Sequence, residues 1–302
     1  MTSDLPTLPK RPAAGHKGTF GTVCVVGGQA AEPKVMLGGP AFSAIAALRS
    51  GAGLAVLAVP SPILAEALTV APSATGLALP VDENAILNPS EVAALLDEHR
   101  SGYGCIAVGP GLGEGVAQQQ IVMRLIGRDE VPLVIDADAI NALAAVPNFF
   151  EELAAPAIFT PHPGEYRRIA SALNLEVDPI DEQSRIEAAK QLAQRLGCVV
   201  VLKGAGTVIT DGIEASVNTT GNVALATAGT GDVLTGIIAG LVSQFFTGDS
   251  ASLSLYDCAR LGVYIHGLAA DRWAKRSGES GLLANDLLVE IPLVMDEIRK
   301  GG

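Results

Sequence analysis

Residues 228–241 read AGTGDVLTGIIAGL and constrain the architecture of the chain more than any other segment. Gly229 and Gly231 let the backbone bend where an apolar helix begins, so that several N–H groups face one point. With the helix dipole, these amides form an anion site suited to a phosphoryl group. Asp232 lies in the first turn, where its carboxylate can take a proton from a substrate hydroxyl. The alternative, that Asp232 only caps the helix, stays open on these residues, although two further glycines in the stretch favour function because each costs about 1 kcal/mol inside a helix.

Outward from this segment, short apolar runs alternate with amphipathic patterns. Helices are predicted between the apolar runs. Three of these helices have predicted N-terminal capping residues: Ser90, Asp138 and a Ser184/Glu187 capping box. This alternation predicts an α/β fold with a mainly parallel central sheet and helices on both faces. Asp211-Gly212 predicts a small antiparallel hairpin at one edge. The predicted strands are 22–26, 54–59, 105–108, 132–135, 157–159, 199–202, 207–210 and 215–217.

Length, composition and net charge limit the class of protein. The 302 residues are 49% hydrophobic, which suits a large core, and we predict a single domain over residues 15–302 after a tail at 1–14. A net charge of −12 without a basic stripe argues against a nucleic-acid partner. No uninterrupted apolar stretch of about 18 residues and no signal peptide are visible, so we expect no membrane span and a cytoplasmic location. The four cysteines are far apart and are expected to be buried, reduced thiols.

Several polar or glycine-rich segments directly follow predicted strands. The carboxyl ends of parallel strands meet at one rim of a sheet, so we expect Asp136, Asp138, His162 and Lys203 to surround one cleft. Lys203 offers a point charge for phosphate in a glycine-rich turn that is not a P-loop; an ordinary hairpin with a solvated lysine is the alternative. Asp136 and Asp138 are candidates for general bases or Mg²⁺ ligands, whereas His162 alone is a weak signal. No histidine spacing indicates a metal site.

Taken together, these segments resemble the ADP/ATP-dependent NAD(P)H-hydrate dehydratases, a family with a ribokinase-like fold. The resemblance extends from about Gly18 to Pro292, and the order of its pieces makes chance similarity very improbable. The segments that carry it are 25–28 (VVGG), 38–40 (GGP), 46–54 (AALRSGAGL), 108–113 (VGPGLG), 135–143 (IDADAINAL), 160–165 (TPHPGE), 201–207 (VLKGAGT) and 218–222 (NTTGN), which runs into 228–232.

The resemblance implies roles for individual residues. Asp232 matches the catalytic aspartate and also touches the substrate. Positions that contact the hydrated dinucleotide correspond to Gly39, Gly111 and His162, although the family often has alanine where Gly39 stands. Asp136, Asp138 and Asn141 are further candidates. The nucleotide contacts correspond to Lys203, Gly204, Ala205, Gly206, Thr207, Gly229, Thr230 and Gly231.

The implied reaction is dehydration of the S epimer of hydrated NADH or NADPH, with ADP favoured over ATP as donor, Mg²⁺ on the phosphates, and AMP and phosphate as products. The resemblance also implies a homo-oligomer, expected to be a tetramer, and a stand-alone form without an epimerase domain. A ribokinase-like alcohol kinase that acts on a small molecule would share the anion site and the base, and it is the main alternative. A nucleotide sensor without chemistry is a second alternative, disfavoured because Asp232 is present.

Overall fold

The computed structural model describes residues 5–247 and 252–301, and its strands form one mixed sheet. Seven strands are parallel, whereas β8 pairs antiparallel with β7 and β9 with β8. Across the sheet the order is β3-β2-β1-β4-β5-β6-β7-β8-β9, which confirms the predicted parallel sheet with an antiparallel edge. The strands are β1 Thr22–Val26, β2 Leu54–Pro60, β3 Thr75–Leu79, β4 Cys105–Val108, β5 Leu133–Ile135, β6 Ala157–Phe159, β7 Val199–Leu202, β8 Val208–Thr210 and β9 Ala215–Val217.

Ten α-helices in the described residues cover both faces of this sheet. Alternate residues of β1 show why: Val23 and Val25 point into one hydrophobic core, and Cys24 and Val26 into the other. The first core lies under α1, α2, α8, α9 and α10, and the second under α3 to α7. The helices are α1 Gly38–Arg49, α2 Leu64–Val70, α3 Pro89–His99, α4 Val116–Ile126, α5 Asp138–Ala144, α6 Pro163–Ala172, α7 Glu182–Leu196, α8 Thr230–Phe245, α9 Leu255–Ser277 and α10 Ala284–Gly301.

Helices α1 and α8 pack together closely because α8 carries glycine where they touch. A Cβ added to Gly236 would lie 2.2 Å from the Ser43 carbonyl oxygen, and one added to Gly240 would lie 2.1 Å from Ser50 Oγ. These two glycines therefore serve helix packing. Our interpretation of them as a sign of chemistry is wrong, since the close approach of α1 accounts for them completely.

We expect Gly240→Ala to lower the free energy of unfolding by about 1–3 kcal/mol, because the added methyl group overpacks the contact with Ser50. Chemical denaturation of the two proteins measures the difference. Gly102→Ala is the matched control, since its Cβ would meet nothing within 4 Å and should change stability little. Equal stabilities of Gly240→Ala and the parent protein would contradict the packing argument.

Two predicted helix starts are displaced. Asn88, not Ser90, caps α3: its side chain accepts a hydrogen bond from the Glu91 N–H at 3.4 Å, and Pro89 follows as the first helical residue. The capping box of α7 is formed by Asp181 and Ser184 rather than by Ser184 and Glu187. In both cases another residue with a similar capping preference lies two or three positions upstream. The sequence alone does not show which of the two caps the helix.

Asp138 does not cap α5, whose N-cap is Ala137 with φ +49°. The sequence also did not predict β3, α2 and α6. The sequence predicts a helix over 251–270; its predicted start at Ala251 lies outside the described residues, and α9 begins at Leu255. Residues 1–4 of the predicted tail also lie outside the described residues, while Leu8 within it is buried in the first core. All four cysteines are buried and unpaired, as predicted.

Candidate active site

The N-terminal tip of α8 offers free backbone donors to the cleft beyond the sheet. Gly229 precedes the helix with φ +89°, a left-handed conformation that favours glycine, and no side chain of the described residues caps the helix. The N–H groups of Gly231 and Asp232 also have no hydrogen-bond acceptor among the described residues. Both residues are partly exposed. The tip therefore has free, partly exposed donors of the kind that the predicted anion site requires.

The Asp232 carboxylate lies at this tip in a largely desolvated position. The pKa of Asp232 is raised to about 7, mainly by burial and also by the nearby Asp136 charge, while the Lys203 charge opposes the shift. The backbone is held by Ser43, whose Oγ donates to the Asp232 carbonyl oxygen at 2.8 Å. A carboxylate with this pKa can both accept and return a proton near neutral pH.

Gly39 leaves space beside that carboxylate. A Cβ at this position would lie 3.1 Å from Asp232 Oδ1, which is tight but tolerable if the side chain shifts slightly. The first turn of α1 and the first turn of α8 therefore meet at Asp232. Gly39, which the resemblance implies as a substrate contact, therefore lies next to the candidate base.

Asp136 and Lys203 form a buried ion pair on the floor of the cleft. Lys203 Nζ lies 2.6 Å from Asp136 Oδ1, and only 2% of the Asp136 side chain and 17% of the Lys203 side chain are exposed. Thr160 donates to Asp136 Oδ1 at 2.7 Å and Thr235 to Oδ2 at 2.6 Å. Burial would raise the pKa of Asp136, but Lys203 and these donors hold it below its usual value. Asp136 is therefore poorly placed to act as a base or a Mg²⁺ ligand, because it is buried and both of its oxygens already accept hydrogen bonds.

His162 and Glu165 begin α6 beside this pair. His162 Nδ1 accepts hydrogen bonds from the Gly164 and Glu165 N–H groups, and Glu165 Oε2 accepts from the His162 N–H at 2.8 Å. The His162 side chain is 50% exposed, and burial lowers its pKa. Because Nδ1 accepts, the proton of the neutral ring is on Nε2, which lies 3.2 Å from Glu165 Oε1. Lys203 Nζ is 3.7 Å from Glu165 Oε2, so the lysine lies between two carboxylates.

The glycine-rich turn after β7 is shaped by its own residues. Thr207 Oγ1 donates to the Gly204 carbonyl oxygen at 2.9 Å, and Gly204 and Gly206 have φ values of +146° and +63°. Arg185 packs over the turn and donates to the carbonyl oxygens of Leu202 and Lys203 at 3.1 and 3.2 Å. Gly204, Ala205 and Gly206 are exposed, so their backbone is accessible from solvent.

The remaining predicted residues have structural partners. Asp138 Oδ2 accepts from the Gly113 N–H at 2.8 Å, which ties α5 to the loop that contains Gly111. Asn141 accepts from Arg168 at 2.9 Å. Thr230 faces inward, with Oγ1 at 2.8 and 2.9 Å from the carbonyl oxygens of residues 225 and 227.

Comparison with known proteins identifies the family. A family model described as NAD(P)H-hydrate dehydratase matches residues 23–293. The chain belongs to the NAD(P)H-hydrate dehydratase family. Among curated relatives, the bifunctional NAD(P)H-hydrate repair enzyme Nnr of Moorella thermoacetica is 37% identical over 295 residues, which are 97% of this chain and 52% of that protein. The chain spans about half the length of the curated relatives it matches.

Solved structures similar to this chain support the family assignment. The ADP/ATP-dependent NAD(P)H-hydrate dehydratase of Bacillus subtilis, co-crystallised with ATP and Mg²⁺, is 30% identical with a TM-score of 0.76, covering 97% of this chain and 95% of that one. A ribokinase-like superfamily protein of Enterococcus faecalis is 27% identical with a TM-score of 0.77, covering 97% and 92%. The fold of this dehydratase-family chain is ribokinase-like, as the resemblance implied.

Several residues that build the site were not predicted. Glu165 and Thr160 hold Lys203 and Asp136, and Thr235 binds the second oxygen of Asp136 from α8. His266 on α9 is buried, and its Nε2 lies 2.9 Å from the Thr230 carbonyl oxygen at the tip of α8. Burial lowers the pKa of His266 to about 4, so the neutral ring donates this hydrogen bond. Only Glu165 had a local signal, as the acid three residues after His162 at the start of a helix.

Two negative findings apply to the described residues. Across 5–247 and 252–301, no group of three or more histidine, cysteine, aspartate or glutamate side chains is arranged to hold a metal ion. Over the same ranges, no helix has both the length and the apolar character needed to cross a bilayer.

Proposed function

We propose that this chain dehydrates the S epimer of hydrated NADH and NADPH at the expense of a nucleotide, with ADP as the favoured donor and Asp232 as the base. One observation carries the proposal: a carboxylate whose pKa is raised to about 7 lies beside unpaired backbone amides at the start of α8. The amides suit a phosphoryl group, and the carboxylate suits an alcohol that must lose its proton.

The reaction has two steps. Asp232 takes the proton from the C6 hydroxyl of the hydrated nicotinamide ring, and the oxygen attacks the terminal phosphorus, displacing AMP from ADP. Phosphate then leaves C6, a proton is lost from the adjacent ring carbon, and the ring double bond is restored. The free N–H groups of Gly231 and Asp232 can bind the charge that develops on the transferred group.

The nucleotide is proposed to lie along the turn formed by residues 203–207 and to reach the tip of α8 with its terminal phosphate. Exposed backbone in that turn and the position of Lys203 Nζ, 3.7 Å from a Cβ built on Gly231, support this path. Mg²⁺ would neutralise phosphate charge during transfer. With no ready-made cage in the described residues, it would be held mainly by the phosphates themselves and by water.

The hydrated ring is proposed to bind between Gly39, His162 and Asp232. Gly39 leaves room at the carboxylate, and the half-exposed His162 presents its ring edge from the N-terminus of α6. Gly111 contributes space rather than a side chain: it has φ +59°, and a Cβ there would lie 3.1 Å from Met36 Cβ. Self-association is supported by apolar side chains exposed on and near α10, namely Leu283, Val289 and Leu293.

The decisive assay mixes the protein with hydrated NADPH, Mg²⁺ and either ADP or ATP. Return of dihydronicotinamide absorbance together with release of AMP or ADP and inorganic phosphate is expected. A stable phosphate ester without recovery of NADPH would instead identify an alcohol kinase. Nucleotide binding without any product would identify a sensor and overturn the proposal.

The pH dependence should follow Asp232. Because burial raises its pKa to about 7, the carboxylate is ionised above that pH and protonated below it, so kcat/KM should fall about tenfold per unit below pH 7. Steady-state rates from pH 5.5 to 8.5 measure the profile. Nucleotide affinity determined over the same range separates this effect from titration of the phosphates. A profile that is flat from pH 6 to 8 would remove Asp232 as the titrating base.

A further inference from the structure

A second cavity lies at the far end of the helix pair that builds the active site. It has a volume of about 190 Å³ and is lined by the C-terminal end of α1, the following turn, the N-terminal segment and α10. Three of its lining side chains are arginines: Arg11, Arg49 and Arg299. Three guanidinium groups around one small cavity are unexpected in a chain with a net charge of −12.

Two nitrogen atoms of the half-buried Arg299 guanidinium lack hydrogen-bond partners. Its Nε and Nη2 atoms are buried and have no hydrogen-bond acceptor in the described residues. Burial lowers the pKa of Arg299, and the acidic group that opposes this is Asp296, whose Oδ2 lies 2.6 Å from Lys300 Nζ. Buried donors without acceptors cost free energy, so the arrangement fits an anionic partner from outside this chain better than it fits simple packing.

The other two arginines add unbalanced charge. Arg11 donates from Nη1 to the Gly51 carbonyl oxygen at 2.6 Å and to Gln244 Oε1 at 3.0 Å, which are neutral acceptors. Burial lowers the pKa of Arg11, and the charge of Arg299 lowers it further, so the two groups repel each other. Arg49 is exposed and forms no ion pair with any residue in 5–247 or 252–301. Among those same residues, no carboxylate lines the cavity.

We infer that the cavity between Arg11, Arg49 and Arg299 is a binding site for a small multivalent anion of the phosphate class. Guanidinium groups bind phosphate oxygens through paired N–H donors, and a dianion would relieve the repulsion among the three cations. The site is separate from the catalytic cleft: α1 joins them, with Gly39 at one end and Arg49 at the other. The 12 residues of this helix separate the two sites by about 18 Å.

The test measures thermal unfolding and calorimetric binding of the intact chain with inorganic phosphate, at constant ionic strength set by chloride. Phosphate should raise the Tm of the parent protein, and Arg299→Met should weaken phosphate binding at least tenfold. Arg299→Met should also raise the Tm in phosphate-free buffer, because it removes a cation that has two buried nitrogen atoms without partners. Arg124→Met, which removes an exposed arginine paired with Asp97, is the control and should leave phosphate binding unchanged.

Arg49→Gln provides a second variant that touches no core contact, and it should weaken phosphate binding severalfold without altering the fold. Repeating the measurement with AMP in place of phosphate tests the source of the anion. If Arg299→Met weakens AMP binding as much as phosphate binding, the cavity also accepts a phosphomonoester, which belongs to the proposed class of anions. The inference is overturned if both arginine variants bind phosphate like the parent protein. It is also overturned if Arg299→Met changes the oligomeric mass in light scattering while phosphate has no effect, since the arginines would then pair with a second copy.

Discussion

Asp232→Asn is expected to lower turnover by roughly 10²–10⁴-fold, the range typical for loss of a general base. The amide is nearly the same size as the carboxylate and cannot take a proton from the substrate hydroxyl. Nucleotide affinity should change little, because the free amides of the α8 tip belong to the backbone. Turnover and equilibrium binding of ADP, measured on the same preparation, separate the two effects.

The same variant should be more stable than the parent protein above pH 7. The pKa of Asp232 is raised in the folded state, so its ionised form is disfavoured there, and stability is lost as pH rises from the usual carboxyl range to about 7. Asparagine removes this penalty, and Tm measurements at pH 5 and pH 8 should show a clearly larger gain at pH 8 than at pH 5. Glu91→Gln, in the first turn of α3, is the matched control and should leave activity unchanged. Turnover equal to that of the parent protein would exclude Asp232 from the mechanism.

The strands were predictable where both faces of the sheet are covered. The run 22–26 is apolar almost throughout because its alternate side chains enter two different cores, and a short continuous apolar run is typical of a strand buried on both faces. The edge strand β3 was missed because it is partly exposed and contains Gly76, so its sequence lacks that signature. Helix α6 was missed because Pro161 and Pro163 indicate a loop, whereas Pro163 is the favoured first residue of a helix.

The location of the site was predictable, but the pairing within it was not. Segments that follow parallel strands must converge, and Asp136 and Lys203 do meet although they are 67 positions apart. Their mutual neutralisation depends on side-chain reach and burial, which no local pattern encodes. For the same reason, the sequence offered Asp136 as a base and Lys203 as a free phosphate contact. The structure instead shows each satisfied by the other.

Lys203→Met is expected to destabilise the protein by about 3–5 kcal/mol, because it leaves the Asp136 carboxylate buried without its counter-charge. Denaturant unfolding at pH 7 measures the loss. Lys203 also lowers the pKa of Asp232, so its removal should move the acid limb of the kcat/KM profile to higher pH. Arg167→Met removes the partner of Asp178 from an exposed ion pair and should cost less than about 1 kcal/mol.

Adding Asp136→Asn to Lys203→Met distinguishes a buried pair from two independent residues. If the cost of the single substitution comes from an uncompensated charge, neutralising Asp136 should recover part of the lost stability, and the double variant should be more stable than the sum of the single losses predicts. Recovery is expected to be partial. Thr160 and Thr235 each donate to a different oxygen of Asp136, and the asparagine side chain has only one oxygen that can accept. Strict additivity would mean that the two side chains do not compensate each other. In the double variant the Asp136 charge that raises the pKa of Asp232 is gone together with the Lys203 charge that lowers it, so the acid limb of the kcat/KM profile should move back towards that of the parent protein.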